Sequence, residues 1–409
     1  MKFRVERDVL AEAVTWTARS LPTRPSVPVL SGLKLEASDG TLTLSGFDYE
    51  TSARVSVPAQ VTDEGAALVS GRLLAEIARA LPAHPVDVSD EGGRVVLLCR
   101  SSRFTLQTLP LDEYPSLPDL PGATGRVRGD LFADAVAQVA IAAGRDDMLP
   151  VFTGLRLEID GENLTLAATD RFRLAVRELE WRPERPDASA TALIPARVLA
   201  EATRAFAGSP AEVTLALSGV GDAGGEGLLG LTGEAAGGIR HTTTRLLDGE
   251  FPPYRKLFPP EQKTEAYVDT AAIVESLKRV ALVAERHTSV QLNFAEGQVV
   301  LEAGSGDEAQ ASEALPARIV GDGVATGFNP RYLLDGLSAV RSAVTRLSFT
   351  EASRPTVITP AAGEKPVAEA PDASDADTNS ADTNSAATTS PTSTNGDYRY
   401  LIMPVRVPR

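Results

Sequence analysis

The chain has 409 residues, of which 43% are hydrophobic and 5% aromatic, and its formal net charge at pH 7 is −15. This length is typical of two to four domains, with enough apolar residues for a core in each. No apolar run is long enough to span a membrane, and residues 1–8 lack a signal peptide's apolar stretch, so we expect a cytoplasmic protein. A single cysteine, Cys99, excludes an internal disulfide and a sulfur-rich zinc site.

In chain order, one type of segment occurs three times, at 32–48, 154–170 and 290–302. Each copy predicts a β-hairpin, because alternating apolar residues flank a turn built on Asp-Gly, Gly-Glu-Asn or Glu-Gly. Helices are predicted before each hairpin, at 9–19, 131–142 and 273–285, and after it, beginning at Gly71, Ala196 and Pro330. Because solenoid repeats span only about 20–50 residues, this longer period predicts three tandem domains of one fold, at 1–121, 125–253 and 254–409.

An acidic segment interrupts the third domain. Residues 361–397 contain seven carboxylates, one lysine and almost no large apolar side chain. Such a composition cannot bury enough surface to offset the entropy of ordering, so the segment is predicted to be disordered. The apolar run from Tyr398 to Val407 then predicts a final strand, which makes the acidic segment a long hairpin loop.

Recognisable catalytic motifs are missing from the sequence. The histidines, His84, His241 and His287, have no metal-ligand spacing, and we expect surface or turn positions for them. Residues 219–224 match G-x-G-x-x-G, but strand-like segments lie on both sides, whereas a dinucleotide site requires a following helix. We therefore expect a hairpin loop there, no cofactor and no catalysis; an enzyme with a site near the glycine loops of 219–238 is the alternative.

Basic residues recur on the predicted helices. Arg72 and Arg79 are seven residues apart, as are Arg197 and Arg204, so each pair projects from one side of its helix. A solvated helix face would explain one pair, whereas repetition in successive domains suits a repeating phosphate backbone. The third copy carries Arg331 and Arg341, and Lys278 and Arg279 precede it. Since no aromatic residues interleave, we expect contact with a duplex and no stacking on single strands. The acidic net charge is compatible with this DNA contact if the positive side chains are confined to one surface of the protein.

Several motifs resemble one family over nearly the whole chain: the bacterial sliding clamp, the beta subunit of DNA polymerase III, in its actinobacterial form. The matching segments are residues 1–7, 24–30, 102–110, 168–175, 248–255, 327–332 and 400–406. The resemblance implies an α+β protein with three tandem copies of the clamp fold. Two chains would form a head-to-tail ring dimer, with helices inside and β-sheets outside.

The resemblance also implies the partners. These are double-stranded DNA, held topologically and without sequence preference, the polymerase III alpha subunit, the clamp loader, and other polymerases and repair proteins with clamp-binding peptides. A membrane and a metal are not expected. A specialised or drug-resistant second copy of the clamp would have the same motifs, so that alternative stays open.

Three groups of site residues follow from the resemblance. The DNA-facing group is Arg24, Arg72, Arg79, Arg145, Arg197, Arg204, Lys278 and Arg279. The partner-peptide pocket is Phe152, Thr169, Arg171, Phe172, Arg173, Leu174, Pro252, Lys256, Leu257, Asn329, Tyr332, Ser353, Pro355, Met403, Pro404, Val405 and Arg406. The dimer interface is Phe104, Leu106 and Leu282. Arg171 and Phe172 replace the Gly-His of some family members, so we expect a bulkier pocket floor.

Overall fold

The computed structural model describes residues 1–218, 227–284, 289–295, 297–304, 309–365 and 398–405. The glycine motif at 219–224, His287, Arg406 and most of the acidic segment therefore lie outside the described residues. Within that part of the chain, no helix is long and apolar enough to cross a membrane.

The elements of the first repeat are confined to residues 1–121. They are β1 (Lys2–Val5), α1 (Arg7–Ala18), β2 (Gly32–Ser38), β3 (Thr41–Phe47), β4 (Thr51–Pro58), β5 (Gln60–Asp63), β6 (Gly65–Ser70), α2 (Gly71–Ala80), β7 (Val86–Asp90), β8 (Arg94–Cys99) and β9 (Ser102–Leu109).

The second repeat follows the same plan with additional short elements. It contains β10 (Ala123–Arg128), α3 (Gly129–Ala140), α4 (Pro150–Thr153), β11 (Gly154–Asp160), β12 (Asn163–Thr169), β13 (Arg173–Glu180), β14 (Arg182–Pro183), β15 (Ser189–Pro195), α5 (Ala196–Thr203), β16 (Glu212–Ser218), β17 (Leu228–Ala235) and β18 (Gly238–Arg245).

The third repeat closes the described chain. It contains β19 (Thr264–Asp269), α6 (Thr270–Val280), β20 (Val290–Ala295), β21 (Gln298–Ala303), β22 (Ala311–Val320), β23 (Val324–Phe328), α7 (Pro330–Ser338), β24 (Val344–Phe349), β25 (Thr356–Pro360) and β26 (Tyr398–Ile402).

The predicted hairpins are confirmed at all three positions, as β2–β3, β11–β12 and β20–β21. In the first, Asp39 and Gly40 both have positive φ angles, of 48° and 71°. Two successive residues of this kind form the turn whose twist matches that of the flanking strands. The local turn chemistry therefore sets the register of this hairpin.

The predicted helices are confirmed, with three corrections at their ends. The helix predicted at 273–285 is regular only to Val280, and a 3-10 turn, Ala281–Val283, follows it. α5 ends at Thr203, so Arg204 begins a 3-10 turn, Arg204–Phe206, and does not share a regular helix with Arg197. Thr203 Oγ1 donates to the Leu199 carbonyl at 2.9 Å. A 3-10 turn at a helix end provides hydrogen-bond partners for backbone groups that the α-helix leaves unpaired. Arg341 lies beyond the end of α7 and is not a helical residue.

The described chain divides into two compact units. The first contains residues 1–136, 146–166 and 179–250; the second contains 137–145, 167–178 and the residues from 251 onward. Three repeats give two units because strands of successive repeats pair. Within the first unit, β4 of the first repeat pairs antiparallel with β18 of the second.

The first unit contains a 14-stranded sheet in the order β14-β10-β16-β17-β18-β4-β3-β2-β6-β9-β8-β7-β1-β5. At the β4–β18 junction, Ser52 Oγ and Thr243 Oγ1 are 2.6 Å apart and buried. α1 packs against α2, and both bury apolar side chains such as Leu10 and Leu74 in the first repeat's core. Hydrogen-bonded strands thus join two repeats into one body.

In the second unit the strands follow the order β13-β26-β25-β24-β19-β22-β21-β20-β23. α6 packs against α7, and Ile273 and Leu333 are fully buried. β25 and β26 pair antiparallel, with Val357 opposite Leu401. The predicted final strand is therefore confirmed with a correction at its end: it stops at Ile402, whereas the prediction extended to Val407. The acidic segment connects two neighbouring strands.

Candidate functional site

A tight turn between β12 and β13 begins the candidate site. Asp170 Oδ1 accepts the backbone N–H groups of Phe172 and Arg173, both at 3.1 Å. Thr169 Oγ1 donates to the Arg173 carbonyl at 2.6 Å. Arg171 occupies the left-handed region with a φ of 80°, which is costly for a residue other than glycine. Because the turn holds its backbone in this form, the Phe172 side chain stays 53% exposed.

Two aromatic rings form one wall of the site. The rings of Phe172 and Tyr332 stack with centroids 6.3 Å apart and planes at 25°. Tyr332 is fixed from below, since Asn329 Oδ1 caps α7 by accepting the Tyr332 N–H at 3.2 Å. The Tyr400 hydroxyl donates to the Tyr332 carbonyl at 2.8 Å, and burial raises the pKa of Tyr400, so it stays protonated.

A buried arginine supports this wall. Arg173 is only 5% exposed, and its guanidinium lies 4.3 Å from the centroid of the Tyr332 ring. Its Nε donates to Asp170 Oδ2 at 2.9 Å, and its Nη1 donates to Asp335 Oδ2 at 2.6 Å. Paired carboxylates offset the cost of removing the charge from water. The network fixes the turn and the α7 helix together.

The C-terminal segment adds flexible apolar side chains. Met403 N–H donates to the Phe172 carbonyl at 2.9 Å, and Val405 N–H donates to the Gly327 carbonyl at 2.8 Å. The side chains of Met403 and Val405 remain exposed. Leu257, which follows β18 in the chain, is exposed as well. Exposed apolar and aromatic groups on a fixed backbone suit the capture of an apolar peptide.

The other predicted pocket residues are placed as follows. Leu174 was predicted to line the pocket, but it is buried in the core and offers almost no surface to a ligand. Pro252 and Pro355 are half-buried, whereas Lys256 and Ser353 are exposed. Phe152 belongs to the first unit, and Arg406 lies outside the described residues.

Sequence reasoning missed three supporting residues, Asp170, Asp335 and Tyr400. Asp335 lies three residues after Tyr332 on α7, and 162 residues separate it from Arg173. A carboxylate on a helix is usually a solvent-exposed residue, so no local signal distinguishes this one. Asp170 stands directly before the Arg-Phe-Arg motif, which is a signal for an Asp-capped turn.

The predicted DNA-facing residues differ in whether their side chains form hydrogen bonds or ion pairs. Arg24, Arg145 and Arg197 are exposed and have no hydrogen bond or ion pair within the described part of the chain. Arg72 and Arg79 donate to the carbonyls of Pro22 and Ala75, at 3.0 and 3.1 Å. The remaining three pair with carboxylates: Arg204 with Glu201, Lys278 with Glu275 and Arg279 with Glu313.

Among these three ion pairs, the Arg279–Glu313 pair lowers the pKa of its carboxylate to about 2. The hydrogen bond from Arg279 and a second one from Ser276 cause this lower pKa. Glu313 therefore stays ionised at any physiological pH. Arg279 is paired with this partner, whereas Arg24, Arg145 and Arg197 have no such partner among the described residues.

The predicted dimer residues also differ from one another. Leu282 is 83% exposed in the turn after α6, and Phe104 on β9 is partly exposed. Leu106 is only 3% exposed and belongs to the core of its own repeat. Leu282 and Phe104 are therefore accessible to a partner chain, whereas Leu106 is not.

The candidates for chemistry turn out to be structural. Cys99 is buried in β8. His241 was predicted at a surface or turn position, but it lies inside β18. Its Nδ1 is 3.0 Å from Thr232 Oγ1, and burial lowers its pKa. The strands flanking the glycine motif, β16 and β17, pair with each other, as a hairpin requires. No cluster of three metal-binding side chains occurs among the described residues.

Comparison with known proteins gives consistent matches over the chain. Family models of the DNA polymerase III beta subunit match its N-terminal domain at residues 1–118, its central domain at 126–253 and its C-terminal domain at 255–369. The beta sliding clamp of Streptomyces coelicolor is 54% identical over 407 residues, covering 100% of both chains. That of Micrococcus luteus is 50% identical over 319 residues, covering 78% of this chain and 100% of the relative.

A crystal structure of the Bacillus subtilis DNA polymerase sliding clamp matches with a TM-score of 0.81 and 25% identity, covering 100% of both chains. The fold is thus that of a sliding clamp, with three tandem α+β domains, as predicted. The chain belongs to the DNA polymerase III beta subunit family. It is the non-catalytic processivity factor of that polymerase.

Proposed function

We propose that this clamp captures the clamp-binding peptides of its partners on the surface formed by Phe172, Tyr332, Leu257, Met403 and Val405. The observation that carries the proposal is an exposed aromatic and apolar surface on a backbone fixed by hydrogen bonds. The partners are the polymerase III alpha subunit, the clamp loader, and other polymerases and repair proteins. The two-chain ring around duplex DNA, in the cytoplasm, holds all of them at the template.

Preorganisation is the physical argument for this surface. A binding peptide must order its own side chains at an entropic cost, but the wall of the site is already ordered by the Asp170 turn and the Arg173 network. Buried aromatic anchors dominate such interfaces. Phe172 and Tyr332 supply that anchor, and Met403 adapts its shape to the ligand.

Peptide affinity tests the pocket. Phe172→Ala and Met403→Ala should each weaken binding of a labelled alpha-subunit clamp-binding peptide about 30-fold, as expected for a hot spot of about 2 kcal/mol. Leu73→Ala is the matched control, because Leu73 is similarly exposed on α2 in the first unit. Fluorescence anisotropy gives the affinities. If both pocket variants bind like the control, this surface does not hold the peptide.

We infer that Arg24, Arg145 and Arg197 are the principal phosphate-binding residues of the DNA-facing group, since they are exposed and form no hydrogen bond or ion pair with the described residues. Replacing all three by Ala should make the plot of log affinity against log salt shallower, by about 0.9 for each phosphate that the variant no longer neutralises. The matched control replaces Arg204, Lys278 and Arg279, which already pair with carboxylates. An equal change in slope for both triples would refute the assignment.

Ring closure is assigned to Leu282 of one chain and Phe104 of the other, with Leu106 in the core of the repeat that carries Phe104. The support is the exposure of these two large apolar side chains. The domain boundaries proposed with this arrangement are 1–121, 125–253 and 254–409, which differ from the matched ranges chiefly at the C-terminus.

A further inference from the structure

The Asp-capped turn of the peptide pocket has a second copy in the first unit. Asp48 Oδ1 accepts the N–H groups of Glu50 and Thr51 at 3.0 and 2.6 Å, as Asp170 Oδ1 does in the pocket. Tyr49 has a φ of 75°, against 80° for Arg171. The aligned repeats therefore place Asp48 at the position of Asp170 and Thr51 at that of Arg173.

The strand and helix beside the turn correspond as well. Thr51 pairs with Thr244 on β18, as Arg173 pairs with Ile402 on β26. The helix α5 aligns with α7 so that Ala196 matches Pro330, which places Glu201 at the position of Asp335. Both carboxylates that bind Arg173 in the pocket therefore have counterparts in the first unit.

The arginine between those carboxylates has no counterpart. Thr51 is far shorter than Arg173, and at this place the first unit has a cavity of about 270 Å³. Asp48, Thr51 and Glu201 line it, with Trp16 among its apolar walls. Such a volume lies just below the range of about 300–1,000 Å³ for ligand pockets, so it fits one side chain or an ion of similar size.

The cavity is lined by two carboxylates, Asp48 and Glu201, and by two arginines, Arg19 and Arg197, so its formal charges balance. A cation is favoured by the carboxylate of Asp48 and by how readily the ion pairs of Glu201 exchange. Asp48 Oδ2, the counterpart of the oxygen that binds Arg173 Nε, has no hydrogen-bond partner among the described residues. Glu201 lies 3.6 Å from Arg19 and 3.3 Å from Arg204, and all three side chains are exposed to solvent. Exposed pairs of this kind contribute little to stability, so an entering cation can displace them.

We propose that this cavity is a binding site for a single guanidinium group, held between Asp48 and Glu201 as Arg173 is held between Asp170 and Asp335. A planar guanidinium donates in two directions at once, which an ammonium does less well. The comparison with the occupied turn favours a guanidinium over a phosphate, because the lining arginines, Arg19 and Arg197, do not outnumber the two carboxylates. The ligand class is an arginine side chain or a small guanidinium compound.

Calorimetric titration of the full-length clamp tests the site with N-acetyl-arginine methylamide as the probe. We expect saturable binding, which weakens at least tenfold in the Asp48→Asn, Glu201→Gln variant. Asn keeps an acceptor for the turn's N–H groups, so the fold should survive. Asp87→Asn on β7 is the control, and the neutral citrulline analogue and inorganic phosphate are the comparison ligands.

A second variant makes the test independent of the carboxylate changes. Thr51→Arg supplies an internal guanidinium and should abolish probe binding. Free arginine distinguishes the ligand's source: if it binds as well as the amide, the guanidinium suffices, whereas preference for the amide indicates a side chain of a peptide. Equal binding of the citrulline analogue, no probe binding to the parent chain, or unchanged affinity in the double variant would overturn the proposal. None of these outcomes bears on the peptide pocket, which lies in the second unit.

Discussion

Replacing Arg173 by alanine should destabilise the second unit and disable the peptide pocket together. Arg173 is 5% exposed, and its partners Asp170 and Asp335 are 12% and 33% exposed at the side chain. Removing one member of a buried ion pair costs about 3–5 kcal/mol, because the remaining charges lose their compensation. The substitution also removes the guanidinium that stacks 4.3 Å from the centroid of the Tyr332 ring.

The matched control is Arg346→Ala. Arg346 lies 3.6 Å from Glu265 in the same unit, but the two side chains are 38% and 29% exposed. A pair of this kind contributes about 1 kcal/mol or less. Comparing the two variants separates the effect of a buried arginine from that of removing any positive charge.

Thermal unfolding and peptide anisotropy give the two readings. Each kcal/mol of destabilisation shifts the midpoint by about 2–4 °C for a body of this size. The Arg173 variant should therefore unfold at least about 6 °C below the parent chain, with the control within about 4 °C. It should also bind peptide weakly at temperatures where it is still folded. Midpoints within about 1 °C of each other for the two variants would refute the reasoning.

Three further outcomes follow from the structure. Leu282→Asp should separate the ring into single chains at nanomolar concentration, because it buries an unpaired charge in the proposed contact; light scattering that still gives a dimer would exclude that contact. The Glu313 carboxyl should titrate by NMR with a pKa of about 2, so the Arg279 pair persists above that pH and breaks as pH falls through it, whereas titration near the ordinary glutamate pKa of 4.5 would mean the pair does not form. Replacing residues 366–397 by a short glycine-containing turn should leave folding and dimerisation unchanged, since loop closure entropy changes slowly with length, and a chain that fails to fold would contradict the hairpin assignment of β25 and β26.

Local chemistry determined much of this protein from the sequence alone. The three hairpins and their flanking helices follow from alternation, helical spacing and turn residues such as Asp39-Gly40, which act within a few residues of each other. The same motifs carried the resemblance to the clamp family. Composition also indicated which segment interrupts the final hairpin.

Tertiary structure decided everything that depends on residues distant in the chain. Arg173 pairs with Asp335, which is 162 residues away in the chain, and no sequence pattern indicates this pairing. The turn at Asp170 is therefore filled by an arginine, whereas the corresponding turn at Asp48 lies beside a cavity. Likewise, a basic residue looks the same in sequence whether or not a carboxylate faces it, so only the fold distinguishes Arg197 from Arg279. Burial and charge pairing are properties of the packed chain, since they arise from segments that the sequence keeps far apart.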